Sequence, residues 1–175
     1  MTDSTRFEPW VMLRSYAEAG EQQELEAFVE AIGPSEAFRS LLRLSPSERE
    51  LVLTTISPTE AADFMEEIPP EHAAHFIEAL SVSNAASIVS EMESAEQADV
   101  LADMENHEAE AILAEMTPES AAEARELIRY SRDLAGGLMV TEYLAFPETA
   151  LVSDALDGLS EWVETRPEQD AHVYI

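Results

Sequence analysis

From Ile32 onward a large apolar residue returns every twelve positions: Ile32, Leu44, Ile56, Ile68, Leu80, Met92, Met104 and Met116. Cut at that period, the chain falls into eight copies, from IGPSEAFRSLLR through ISPTEAADFMEE to MTPESAAEAREL, ending at Leu127. The sixth position is Ala in six of the eight copies. The ninth and tenth are mostly large and apolar, as in Phe64 with Met65 and Ile112 with Leu113. Positions six, nine, ten and the next first position follow i, i+3, i+4, i+7, one face of an α-helix. Ser45-Pro46, Ser57-Pro58 and Thr117-Pro118 each set a capping hydroxyl before a Pro suited to the first helical position. Glu48 and Glu60 follow their cap serines by three, the spacing of a capping box.

Each copy is therefore predicted to be one helix of about eight or nine residues and a tight turn, too short to persist alone in water. Such helices must bury their apolar faces on neighbours, which predicts an all-α superhelix, a solenoid-like stack of short helices. Trp10 to Ala19 and Glu21 to Ile32 read as two longer amphipathic helices broken at Gly20, closing one end of the stack and bringing the total to about ten helices. The last copy carries Ala124 and Arg125 at its ninth and tenth positions, which predicts the other end. Met92, Met104 and Met116 read as core filling.

After Tyr130 the texture changes. Asp133 to Met139, with Gly136-Gly137, breaks the helical pattern. VTEYLAF, residues 140–146, reads as extended, and Thr149 to Trp162 as a helix with Leu151, Ala155, Leu156 and Leu159 on one face. Ala171 to Ile175 is a β-like run that either pairs with 140–146 or belongs to a longer sheet. The expected organisation is a superhelical domain over 1–130 and a short β/α portion over 131–175.

Charge narrows the function. Thirty-seven Asp and Glu face nine cations, all Arg, for a formal net charge of -28. That excludes direct nucleic-acid binding and repels anionic membrane surfaces. Cysteine is absent, so there is no disulfide framework and no thiolate chemistry. The apolar fraction of 46% is ample for a core. No run approaches the roughly 18 apolar residues of a membrane span, and MTDSTRFEPW is not a secretory signal, so the expectation is a soluble, cytoplasmic protein. Residues 50–124 hold eighteen acids and no cation. Like charges with no fixed counter-charge repel, and a divalent cation relieves that repulsion. Mg²⁺ suits such a surface because it prefers oxygen ligands and keeps several waters. Adaptation to high salt competes for the same observation.

Other chemistry is thin. His72 and His75, three apart on one predicted helix, could share a transition metal, but no third ligand stands nearby. His107 reads as solvated. Gly136-Gly137 lacks the strand, helix and Lys of a phosphate loop and reads as a turn. No nucleophile, base and oxyanion set appears, so no enzyme is expected.

The repeats, followed by IRYSRDLAGGLMVTEYLAF and ETALVSDALDGL, resemble the cytosolic N domain of MgtE-type magnesium transporters. The most specific part is Asp133 to Met139 with Glu142-Tyr143. The resemblance implies that 131–175 is a linker and the truncated beginning of a CBS module. It implies a regulatory cytosolic domain that senses intracellular Mg²⁺ through acids and gates a pore it does not itself form. Implied partners are the CBS modules and transmembrane pore of the same transporter, dimeric at full length. The family's early-repeat acid falls on Asp63. A later one falls on Ala95, a departure, with Glu96 and Asp99 keeping acidic character beside it. The implied metal residues are thus Asp63, Glu96 and Asp99. An α-helical interaction scaffold similar to the flagellar motor switch protein FliG is the alternative.

Overall fold

A computed structural model describes residues 8–130, 143–165 and 173–174; the Asp133–Met139 block lies outside them. The stack is built from α1 (Pro9–Ala19), α2 (Gln22–Ile32), α3 (Pro34–Leu41), α4 (Pro46–Thr55), α5 (Pro58–Glu66), α6 (Pro70–Glu78), α7 (Val82–Val89), α8 (Ser94–Asp103), α9 (Asn106–Glu115) and α10 (Pro118–Leu127). Then come β1 (Leu144–Ala145), α11 (Val152–Thr165) and β2 (Val173–Tyr174). The expected all-α superhelix is what forms. No helix among the described residues is long and apolar enough to cross a membrane.

Helix starts follow the cap chemistry. Ser45, Ser57, Ser81 and Thr117 accept from the backbone N–H three residues on, at 3.2–3.4 Å. Only Ser45 closes a full capping box, donating its own N–H to Glu48 at 2.8 Å. At Ser57 the expected partner Glu60 is displaced: the Ser57 N–H donates instead to Glu26 of α2, also at 2.8 Å. Gly20 ends α1 in the left-handed region, φ 69° and ψ 24°, a conformation that disfavours any side chain.

From α5 to α8 each repeat helix packs mainly on the helix two places along, α5 on α7, α6 on α8, α7 on α9 and α8 on α10, whereas α3 and α4 pack on α1. A helix held between two such neighbours needs a wider apolar stripe than one face. The seventh position supplies it, since Ala62, Ala74, Ala86 and Ala98 are all buried beside the expected positions six, nine and ten. The first-position series is buried from Leu44 to Met116, including all three methionines.

The two copies without Ala at position six carry Arg49 and Gln97, and both do the same thing. Arg49 Nε donates to the Leu41 carbonyl at 3.1 Å, and Gln97 Nε2 to the Val89 carbonyl at 2.7 Å, each eight residues back. Both carbonyls, at the ends of α3 and α7, also accept a backbone N–H, from Leu44 at 3.2 Å and from Met92 at 3.3 Å, so each side chain supplies a second donor. Arg49 also donates to the Leu44 carbonyl at 3.3 Å and lies over the Phe76 ring at 4.6 Å.

At the C-terminal end β1 and β2 pair in parallel, Leu144 opposite Val173, with α11 as the crossover. The terminal run thus pairs with the earlier extended segment, as expected. The helix begins three residues later than expected because Pro147 to Ala150 forms a turn and Asp154 accepts the Leu151 N–H at 3.1 Å. The expected apolar face is only partly covered: Leu151 and Leu156 stay exposed, and Trp162 is the buried anchor. Gly158 allows Phe146 to lie against α11, since a Cβ there would meet the ring at 2.9 Å.

Gln97→Ala removes the shorter, buried donor to the Val89 carbonyl and leaves it only the Met92 N–H, so urea unfolding should show a loss of about 1 kcal/mol. Glu119→Ala, on the exposed surface, should stay within about 0.5 kcal/mol of the parent in the same assay. Equal losses would mean that Gln97 does not hold the end of α7.

Candidate functional site

Ten of the eighteen acids of the 50–124 window fall at positions two, five, eight and eleven of the repeat, which the apolar stripe leaves free. Glu66, at the end of α5, turns its carboxylate onto the start of α8 and accepts the Glu93 N–H at 2.8 Å. Glu93 is the N-cap residue of α8 and makes no side-chain cap of its own. The bond satisfies an orphan donor, but it brings carboxylates together. Burial is the main cause that pushes Glu66 up to about 7. The Glu93 N–H works against it, and the charges of Glu96, Glu93 and Asp63 add to the rise.

Two of the three residues expected from sequence, Asp63 and Glu96, therefore meet through a residue that sequence reasoning missed. Asp63 is exposed on α5, and Glu96 is half-buried in the first turn of α8. Asp99 lies half-buried one turn further along α8 and is not among the charges acting on Glu66. Asp63 also faces the other way. Glu60 is raised by burial first, then by Asp63, Glu26 and Glu30. Asp63 thus lies between two groups of acids.

The arrangement recurs one period along. Adding twelve to Asp63, Glu66, Glu93 and Glu96 gives His75, Glu78, Glu105 and Glu108. Glu78 is again raised, by burial first and then by Glu108, with Glu105 adding and His75 opposing. A step further in either direction the corresponding residues are uncharged: Leu51, Thr54, Ser81 and Asn84 before, Ser87, Ser90, Thr117 and Ser120 after. Two adjacent junctions, α5 with α8 and α6 with α9, therefore carry the crowding. The arginines that bracket the window are engaged elsewhere: Arg49 on carbonyls and Phe76, Arg125 on Glu110 at 2.9 Å.

Among the described residues no group of three or more His, Asp or Glu forms a ready-made metal cage. The donors are loosely spaced carboxylates, which suits an ion that keeps most of its water. The two-histidine metal site finds no support: His72 stacks on Phe38 at 5.0 Å, and His75 serves Glu78. His107 is exposed, 3.3 Å from Glu105.

No curated protein matches the chain in sequence. Two solved structures share its fold. One, the soluble part of a magnesium transporter, superposes with a TM-score of 0.73 at 22% identity, covering 95% of this chain and 66% of that one. The other, the cytosolic domain of the Mg²⁺ channel MgtE in complex with ATP, gives 0.73 at 26% identity, covering 94% and 68%. The chain thus spans 66% of the first neighbour's length, and at 22% identity that likeness concerns the fold. Residues 32–133 match the family described as the MgtE intracellular N domain. With more than half of its length inside that match, the chain belongs to the MgtE intracellular N domain family.

Proposed function

We propose that this chain is the Mg²⁺-responsive regulatory part of a magnesium transporter, non-enzymatic and distinct from the pore. The observation that carries the proposal is the junction of α5 and α8, where Glu66 is wedged against Glu93 and Glu96 with Asp63 alongside. Packing holds those carboxylates close together in a stretch, residues 50–124, that contains no Lys or Arg. A hydrated Mg²⁺ held by Asp63, Glu66 and Glu96, with Asp99 one turn away, would relieve the repulsion and tie α5 to α8.

Residues 131–175 act in this proposal as the linker and the beginning of a CBS module, a role that the parallel β1–α11–β2 unit supports. The CBS modules and the pore of the same transporter are the proposed partners. Their acids would complete the ion's coordination, and the state of the junction would pass to the pore through them. The intracellular side is where such a sensor reads the ion it controls.

A proton competes for the same relief. The folded-state value of Glu66, about 7, lies above its ordinary 4.5. Between those values the folded chain holds a proton that the unfolded chain has lost. The stabilisation is complete below 4.5 and is lost as pH rises through 7.

Magnesium chloride at about ten times its dissociation constant should raise the melting temperature by about 4 °C over sodium chloride of equal ionic strength. The triple variant Asp63→Asn, Glu66→Gln, Glu96→Gln should erase that difference. Equal shifts with both salts in the parent would reduce the effect to screening and sink specific sensing. In EDTA at pH 8, Glu66→Gln should be more stable than the parent by about 1 kcal/mol, because Gln still accepts the Glu93 N–H without the charge; solvent screening keeps the gain below the full linkage value. At pH 5 the two should unfold at nearly the same urea concentration. A variant no more stable than the parent at pH 8 would show that Glu66 is not under electrostatic strain.

A further inference from the structure

We propose that the superhelix is hinged between α4 and α5, so that α1–α4 and α5–α10 move as two bodies, joined through long side chains and pushed apart by acids of α2 and α5. The rule that builds the stack stops at this point. From α5 on, helices pack on their second neighbours, whereas α2, α3 and α4 all pack on α1. No helix of the first body is a main packing partner of a helix of the second. The chain crosses between them once, through Ile56 and Ser57.

The sequence supplies the cause. In α5, α6 and α7 the pairs Ala61-Ala62, Ala73-Ala74 and Ala85-Ala86 are buried, and such small residues let helix backbones approach closely. The matching positions hold Ala37-Phe38 in α3 and Arg49-Glu50 in α4. Phe38 and Arg49 hold the backbones apart and meet α6 with their tips. The Phe38 ring lies 5.0 Å from the His72 ring and 6.0 Å from the Phe76 ring, tilted by 53° and 49°. The Arg49 guanidinium lies over Phe76 at 4.6 Å. Phe76 is fully buried and the apolar core runs on through this contact, so the two bodies stay attached here. Rings and a guanidinium can tilt over one another, whereas ridges seated in grooves resist slipping.

Between α2 and α5 the seam is polar. Glu26 reaches across it to accept the Ser57 N–H at 2.8 Å. Against that bond stands a group of like charges. Glu26 and Glu30 of α2 face Glu60 of α5, and both act on it together with Asp63. Repulsion between exposed carboxylates is long-ranged at low salt and is screened as salt rises. The hinge therefore answers to ionic strength in general. It asks for no ion site and is independent of the Mg²⁺ reading, although Asp63 faces both seams.

The chain has no cysteine, so pairs of introduced cysteines can carry nitroxide labels for distance measurement by pulsed EPR. Gln23→Cys with Ser83→Cys spans the seam; Gln23→Cys with Thr54→Cys stays within the first body, and Ser83→Cys with Ala114→Cys within the second. All four positions are exposed. In EDTA at pH 8 and about 0.01 M NaCl, the distribution across the seam should be at least twice as wide as either internal one. Raising NaCl to about 1 M shortens the Debye length from about 30 Å to about 3 Å. The distribution across the seam should then narrow while the internal ones stay unchanged. Glu30→Gln with Glu60→Gln, both exposed, should produce the same narrowing at low salt. A distribution across the seam no wider than the internal ones would overturn the hinge. A wide one that neither salt nor the double variant narrows would overturn the proposal that acids drive it.

Discussion

A helix of nine residues, such as α5 or α6, does not persist alone in water, because nucleation costs more than so few hydrogen bonds return. Every other feature of this chain follows from that shortage. The helices must be stabilised by contact, and contact on one side only would leave a marginal structure. In the middle of the stack α7 therefore packs on α5 and α9, and α8 on α6 and α10. Two flanking contacts demand small residues where helices approach closely, hence the buried Ala-Ala pairs at positions six and seven. The turns between them leave helix ends in the interior, and those ends need donors and acceptors. Serine hydroxyls, Arg49, Gln97, Glu26 and Glu66 all answer that need.

What could be read from the sequence was what repeats locally. The period, the Ser-Pro starts, the first-position apolar series and the break at Gly20 each depend on neighbours within one turn of helix. The seventh-position alanines were harder, because Ala is buried there only once a helix is known to touch two others. Glu60 looked like the capping-box partner of Ser57 by spacing alone. Glu26, thirty-one residues earlier, holds that N–H instead, and no local rule points to it. Glu66 went unseen for the same reason. It sits in Glu66-Glu67, an unremarkable helix end, and matters only because α5 lies against the start of α8, twenty-seven residues on. Asp63 could be named because a family pattern carried the long-range information that spacing lacks, and Glu96 only as the acid beside the departure at Ala95.

The twelve-residue register also bears on why the chain is so acidic. High-salt adaptation asks only that acids be solvated and plentiful, and it is indifferent to where they fall in the repeat. Here part of the acid is neither well solvated nor evenly placed. Glu66 and Glu78 occupy the same position in successive copies, Glu66 half-buried and Glu78 exposed, and each is raised by two acids of the helix three places on. The flanking copies place Thr, Ser and Asn at the equivalent sites, so the stack can be built without this crowding. Most exposed Glu remain compatible with the bulk explanation, whereas the two junctions are not accounted for by it.

Crowded carboxylates at a helix junction store repulsion only while packing prevents them from separating. Where α5 and α8 meet, Glu66 is tied to the Glu93 N–H, and each helix is anchored by its own buried side chains, Phe64 and Met65 on α5 and Val100 and Leu101 on α8. The apolar stripe and the acidic positions thus act against each other across the same pair of helices. Hydrophobic burial is indifferent to divalent ions, whereas carboxylate repulsion is not, so an ion that neutralises the acids changes the balance without touching the core. A stack in which each helix bears on the second neighbour has no joint at which such a change is absorbed locally. α8 packs on α6 and on α10, so the junction of α5 with α8 is continuous with contacts that run toward the C-terminal end of the superhelix.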